Sequence, residues 1–320
     1  KANYYATSSF ATKEAINVLI KSREGRPIKM EPNTQAPLTG GGTSATDQAS
    51  VLSLYDHTRL RGPVEGNSGS TWGKVDRKIR KKLQAIDDSG QAIAVLTDTI
   101  VSPSAKSAIN NFKQQYSNAK HVQYDPMSQS AMLEANQQSF GKPYIPDYKF
   151  DKAKAIVGFN ADFLGTWVAP TEFTYKYTQG RKVDKFKDMS FHVQFESHLS
   201  LTGSNADLRA PIKPSQEGAA LVALYNRLAK KAGVEELPES KMELAANALK
   251  MTADELWKDR GKAIVVSGTN DLNIQLLTNR INALLNNYGN TISFKHASRQ
   301  KQGNDAAVDE LISDMKNGKV

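Results

Sequence analysis

Cysteine, the side chain best suited to thiolate chemistry and to holding iron or zinc, does not occur among the 320 residues. Its absence removes disulfides, thiolate nucleophiles and every Cys-ligated zinc or iron–sulfur site within these residues, however the chain folds. Five histidines remain (57, 121, 192, 198 and 296), and only His192 and His198 are close in sequence. In the strand-like MSFHVQFESHL a separation of six puts both on one face but about 20 Å apart, at roughly 3.3 Å per residue. One metal cannot use both in that geometry, so they read as satisfied core or surface histidines. The triplet Gly40-Gly41-Gly42 in TQAPLTGGGTSATD suggests a phosphate loop. A phosphate cradle, however, needs a strand before it and GK[ST] opening the helix after it, and here TSATDQAS follows. Thr46 or Asp47 instead caps a short helix through QASVLSLYD.

The excess of Lys and Arg over Asp and Glu, 42 against 33, gives a net charge of +9. Nucleic acid, an anionic membrane surface or an acidic partner protein would each suit that balance. The densest run, WGKVDRKIRKKLQAI, places Val75, Ile79, Leu83 and Ile86 at helical spacing, so its basic residues fall mostly on a solvated face. No aromatic residues interleave with them as stacking surfaces require, which argues for an amphipathic crossover helix and against nucleic acid. No segment approaches the roughly 18 apolar residues of a membrane span. The opening KANYYATSSF lacks the plan of a signal peptide, so either none existed or the chain begins after it.

Several elements would have to position any site. AINVLIKSREGRPIKMEPN predicts a hairpin turning at Glu24-Gly25. A helix over about 71–87, a strand in QAIAVLTDTI, a helix opened by Ser102-Pro103 and a strand in KHVQYDP give strand–helix–strand grammar, which means a parallel sheet. A linker-like stretch follows from Met127 through SFGKPYIPDY, where Pro143 and Pro146 oppose regular structure. The grammar restarts at KAKAIVGFNADFLG, with a helix at PTEFTYKYTQG and a strand at MSFHVQFES. LRAPIKPSQEGAALVALYNRLAKKAG predicts an edge strand, a break at Pro214 and an amphipathic helix ending at Gly233. MELAANALKMTADELWKDRG reads as helical throughout, with Thr252 and Glu255 as a capping-box pair. A third start at KAIVVSGTNDLNIQLLTNRINALLNNYGNTISF precedes a last helix from Asp305 to Met315. The final NGKV falls where another strand is expected, which reads as a truncated domain.

In order along the chain, several segments are similar to the molybdopterin oxidoreductases, the formate dehydrogenase and dimethyl sulfoxide reductase relatives. IKSREGRPIKMEPN resembles the family's N-terminal hairpin, and DQASVLSLYDHTRLRGP its approach to the first large domain. TWGKV matches the opening of that domain's first helix, ADLRAPIKPSQEGAAL an A-D…P-G-T-D-x-A-L segment, and INALLNNYG a later helix end. Within that superfamily, FNADFLGTWVAPTEFTYKYTQGRK and HVQFESHLSLTGSNADLRAPIKP look like the first half of the large iron–sulfur subunit of alternative complex III, the bacterial quinol-oxidising respiratory complex.

The resemblance implies an α/β fold: a small β-rich N-terminal domain followed by two doubly wound parallel-sheet α/β domains, one inserted in the other. The expected boundaries are 1–63 for the β-rich domain, a degenerate iron–sulfur domain; 64–126 plus 262–320 for the split domain; and 127–261 for the inserted one. The family's cofactors are molybdopterin guanine dinucleotide and iron–sulfur clusters. The run that should carry the cluster cysteines reads NYYATSSFATKEAIN, so no cluster is expected. The family's metal ligand falls near YDPMSQSAM, where Ser128 and Ser130 are candidates, but Pro126-Met127 does not reproduce a ligand context and no metal ligand is expected; an active oxidoreductase with an oxygen metal ligand is the alternative reading. The dinucleotide ends of the pterin would fall near Gly158, Asn160 and Asp162 and near Gly268 and Asn270, with Glu217 standing for the Asp of the P-G-T-D loop. The same residues equally suit ordinary strand-end turns, the favoured reading. What is expected is therefore a cofactor-less scaffold portion of a respiratory electron-transfer subunit, on the periplasmic side of the cytoplasmic membrane. Its implied partners are iron–sulfur, cytochrome c and integral membrane quinol-binding subunits, with no nucleic acid and no direct membrane insertion.

Overall fold

Glu24 and Gly25 both take positive φ (50° and 77°), the backbone of a two-residue hairpin turn whose twist suits the flanking strands. They join β2 (Ile16–Arg23) to β3 (Arg26–Pro32), and β1 (Asn3–Ser9) adds antiparallel to the other side of β2. Ile16, Val18 and Met30 bury one face of this sheet. The computed structural model that shows this describes residues 1–12, 14–183, 189–240 and 245–320. The chain forms two compact units, residues 1–48 with 131–299 and residues 49–130 with 300–320.

The Gly40–Gly42 loop leads into α1 (Ala45–Ala49). Its cap is Ser44: the Asp47 N–H donates to Ser44 Oγ at 3.1 Å, while Asp47 Oδ2 accepts from the Ser44 N–H and hydroxyl. Thr46 and Asp47 were the expected caps, but Asp47 occupies the reciprocal third position of a capping box.

In the second unit β4 (Val64–Glu65) and β5 (Ser68–Gly69) form a small ladder ahead of α2 (Trp72–Asp88), which Thr71 caps. Then come β6 (Ile93–Thr97), α3 (Pro103–Gln115) and β7 (Ala119–Gln123), with β6 and β7 parallel as the strand–helix–strand grammar requires. Leu83, Ile86 and Phe112 from the two helices pack on Ile93, Tyr116 and Ala119.

Residues 130–148 are not a linker. They form α4 (Ser130–Phe140) and β8 (Ile145–Tyr148). Met132, Leu133 and Ala135 are buried, so tertiary packing overrides the proline signal, and Pro146 is tolerated because β8 lies in a two-stranded ladder rather than a central position. The main sheet has strand order β11-β10-β9-β12 and is parallel throughout. It is built from β9 (Ala155–Phe159), α5 (Pro170–Gln179), β10 (Phe191–Glu196), the short α6 (Leu201–Ser204), β11 (Leu208–Pro211), α7 (Glu217–Ala232), α8 (Ala246–Lys258) and β12 (Ala263–Ser267). After β12 come α9 (Leu272–Leu284) and β13 (Ile292–Ser298), the latter antiparallel to β8. Ala155, Val157 and Phe159 of β9 join Leu221, Leu224 and Leu249 in one core cluster, whereas the intervening Ile156 belongs to a second cluster with Phe150 and Phe173. Helices thus cover both faces, and each fully buried Leu, Ile or Phe contributes about 1.5–3 kcal/mol of hydrophobic stabilisation. The last helix, α10 (Asp305–Lys316), belongs to the second unit, where Lys120 of β7 pairs with Asp314.

Two expectations change. Residues 262–299 were assigned with 64–126, but β12 pairs with β9, residue for residue from Ala263↔Ala155 to Ser267↔Phe159, so the discontinuous unit resumes only at 300. Thr252 does not cap a second helix, since its hydroxyl donates to the Ala248 carbonyl at 2.7 Å inside the continuous α8. Residues 242–244 of the long helical reading lie outside the described residues.

Candidate functional site at the carboxyl ends of the parallel strands

In a doubly wound sheet, ligands enter at the carboxyl ends of the strands, where loops diverge and helix N-termini point inward. The chain between β11 and α7 makes a single 3-10 turn at Pro214–Gln216, so Glu217 is the first residue of α7 and is almost fully buried. Its carboxylate joins two strand ends. Oε2 accepts from Asn160 Nδ2 at 2.7 Å and from the Thr269 hydroxyl at 2.5 Å, and Oε1 accepts from the Ser267 hydroxyl at 2.8 Å. The α7 N-terminus favours this negative charge.

Asn160 is held from both sides. Its backbone is left-handed (φ 46°), and its Oδ1 accepts from the Ser197 N–H at 3.0 Å. Gly268 lies so close that a Cβ there would sit 2.2 Å from the Asn160 carbonyl oxygen. Asn270 accepts from the Ala131 N–H at 2.9 Å. Asp162 turns to α6, accepting from the Thr202 N–H and hydroxyl at 3.0 and 2.8 Å. Gly158 leaves room for the buried Gln194, whose amide oxygen would stand 2.1 Å from a Cβ there. The structure therefore brings Asn160, Glu217 and Gly268 together, while Gly158, Asp162 and Asn270 serve neighbouring local contacts.

Beside this network, Glu196 at the end of β10 is buried against Arg209 and Ser200. Burial works against its charge, but the hydrogen bonds from Ser200 and Arg209 outweigh it and hold the carboxyl below its usual range. Ser267, Thr269 and Gln194 were not singled out from the sequence. For Ser267 and Thr269 the signal is a hydroxyl at a strand end facing a carboxylate that opens a helix, visible only once β9 and β12 are known to be neighbours, whereas Gln194 lies within β10 and donates to the Ala161 carbonyl.

The serines proposed as metal ligands lie in the second unit. Ser128 Oγ donates to both carboxylate oxygens of Asp305 at 2.9 and 2.8 Å, and Ser130 Oγ accepts from the Asp305 N–H at 3.2 Å, so both hold the start of α10. Close by, Asp125 accepts from the Thr99 hydroxyl and from the Gly303 N–H. Among the described residues no group of three His, Cys, Asp or Glu side chains could hold a metal ion.

In the run NYYATSSFATKEAIN, the first unit has Glu14. Its buried carboxylate accepts from the Thr171 and Glu172 N–H groups, each at 3.0 Å, and so caps α5. Burial raises its pKa more than these bonds lower it. The glycine triplet is spent on the same helix: a Cβ at Gly40 would lie 2.2 Å from the Tyr175 ring, and one at Gly42 3.1 Å from Thr171. His192 is buried within β10, with Tyr177 Oη 3.2 Å from its Nδ1, and His198 lies beyond the strand on the surface. The polar side chains at these positions are thus bonded to one another and to the backbone.

No protein-family model matches the chain. Over 242 residues it is 23% identical to the menaquinone reductase, molybdopterin-binding-like subunit of Nitratidesulfovibrio vulgaris (strain Hildenborough), a match covering 74% of this chain and 34% of that protein. Its structure is similar to that of acetylene hydratase from Pelobacter acetylenicus, with a TM-score of 0.57 at 10% identity over 90% of this chain and 42% of that one. The chain thus spans about a third of the curated relative's length. Together with the ordered sequence resemblances, these likenesses lead to one conclusion: the chain is built on the fold of the molybdopterin oxidoreductases.

Proposed function

We propose that the chain is a cofactor-less, molybdopterin-oxidoreductase-like scaffold within a subunit of a quinol-oxidising respiratory complex of the alternative complex III type. The observation that carries this reading is the closed network of Asn160, Glu217, Ser267 and Thr269 at the strand ends. Its donors and acceptors satisfy one another at the strand ends where the resemblance puts the dinucleotide. The similarity to a subunit described as molybdopterin-binding-like, in a protein named menaquinone reductase, supports a place in quinone-linked electron transfer. The absence of Cys from the sequence means that any iron–sulfur relay sits in other residues. In this reading the scaffold lies on the periplasmic side of the cytoplasmic membrane and docks iron–sulfur, cytochrome c and membrane quinol-binding subunits.

The test is elemental and pterin analysis of the purified, folded chain, with its visible spectrum. A colourless protein holding far less than one molybdenum or tungsten per chain is expected. Stoichiometric metal with pterin would overturn the reading in favour of an active oxidoreductase with an oxygen ligand.

A further inference from the structure

The two edges of the N-terminal sheet are built differently. Edge strands expose a row of backbone donors and acceptors, and proteins that must not pair there protect the row with proline, lysine or a bulge. β3 carries all three. Pro27 and Pro32 lie near its ends, Lys29 lies on it paired with Glu31, and its register against β2 shifts between Lys21 and Ser22. β1 has none. Its sequence NYYATSS has no charge and no proline, and its pairing with β2 runs unbroken from Asn3↔Ser22 to Ser9↔Ile16. Among the described residues no strand lies on its other side.

β1 is also bare on both faces. Residues alternate between faces along a strand, yet every position from Asn3 to Ser8 is exposed, including the consecutive Tyr4 and Tyr5 at 54% and 58%. Phe10, just beyond the strand, is 51% exposed. Large aromatic side chains beside an unprotected row of backbone groups are what strand addition uses, with the backbone giving affinity and the side chains specificity.

The charge around this edge selects the partner. Lys1 precedes β1, Lys21 lies 5.8 Å from the Tyr4 ring centroid, and Arg23 and Arg26 flank the adjoining turn, against the single acid Glu24 in that turn. A second copy of this chain, itself at +9, would be repelled on approach. We propose that β1 is a docking edge for an extended, acidic segment of a partner polypeptide, which adds to the sheet as a fourth strand. This assignment is independent of whether the chain carries a pterin.

The test uses the whole chain and a synthetic peptide of alternating Val and Glu, compared with the same peptide carrying Lys for Glu. Hydrogen exchange is followed at Tyr4–Ser8, and binding by fluorescence anisotropy. The Val-Glu peptide is expected to slow exchange across β1 and to bind at least about tenfold more tightly than the Val-Lys peptide. Ala6→Glu, which places a like charge on the edge, is expected to abolish binding, whereas Lys250→Glu on α8 leaves it intact. Because the wild-type exchange measurement needs no variant, a misfolded Ala6→Glu protein does not shelter the proposal. Unchanged exchange across β1 at saturating peptide would overturn it. So would equal binding of the two peptides, or a concentration-dependent dimer in sedimentation that protects β1 without any peptide.

Discussion

Asn282 stands beside Val265 in the place of a neighbouring strand. Its Oδ1 accepts the Val265 N–H at 3.1 Å and its Nδ2 donates to the Val265 carbonyl at 2.7 Å. Thr291 supplies a donor to the Ala263 carbonyl, and Gln275 reaches the Ser267 carbonyl at 3.0 Å. Side chains thus close the outer edge of β12 carbonyl by carbonyl. Replacing Asn282 with Leu, similar in volume, leaves two buried backbone groups without partners, each costing about 1–3 kcal/mol. A loss of about 3 kcal/mol in urea unfolding is expected, with faster exchange of the Val265 amide. An effect below about 0.5 kcal/mol would show that water or a shifted helix supplies the missing bonds.

Glu217 serves three hydrogen-bond donors at once. Glu217→Ala strands Asn160, Ser267 and Thr269 in a largely buried setting, and about 2–4 kcal/mol of stability should be lost. Glu217→Gln should cost less, because one acceptor oxygen survives. Chemical denaturation of the two variants checks both the size and the order of the effects.

Two glycines separate close approach from simple flexibility. Gly268→Ala forces a Cβ to within 2.2 Å of the Asn160 carbonyl oxygen, and since that obstacle is backbone, the strand ends must move. A loss of about 2 kcal/mol or more is expected. Gly218→Ala in α7 meets nothing nearer than Ile274 Cδ1 at 4.0 Å, and the helix should gain up to about 1 kcal/mol. Thermal unfolding of the pair, side by side, reads the difference.

His192 gives the first unit a predictable response to acid. Burial pushes its pKa down to about 4, and Arg181 acts in the same direction against the bond with Gln194. Between that value and the ordinary 6.5 the unfolded chain binds a proton that the folded chain does not. Stability from this residue is therefore complete above about pH 6.5 and falls as pH drops towards 4, by about 2 kcal/mol between pH 7 and pH 5. His192→Gln should flatten that part of the stability profile relative to wild type. Identical profiles would place the acid response elsewhere.

Much of the fold could be read from local pattern. Glu24-Gly25, Ser102-Pro103, Pro214 and Gly233 each mark a boundary where the structure has one, because turn and cap chemistry is decided within a few residues. β1 was not legible, since NYYATSS buries only Ser9 and so has no apolar alternation to show. α4 and β8 were hidden by Pro143 and Pro146, whose local veto is overridden by burial of Met132, Leu133 and Ile145. The assignment of β12 failed for a different reason: strand–loop–helix units look alike in sequence, and nothing in AIVVS says which of two sheets it will join. For the candidate site, Asn160 and Gly268 came from strand-end placement and Glu217 from the resemblance to a P-G-T-D loop, but their mutual bonding was not legible, because it depends on β9 and β12 being adjacent.

The bond from the Gly303 N–H to Asp125, at 2.9 Å, also sets an order of events during synthesis. Residues 49–130 leave the ribosome with Thr99 at hand for Asp125 but before Gly303 and Asp305, the further partners of Asp125, Ser128 and Ser130. The whole of residues 131–299 must be made before Gly303 and Asp305 arrive, and closing so long a loop is slow compared with local contacts. The second unit is thus translated early and finished late.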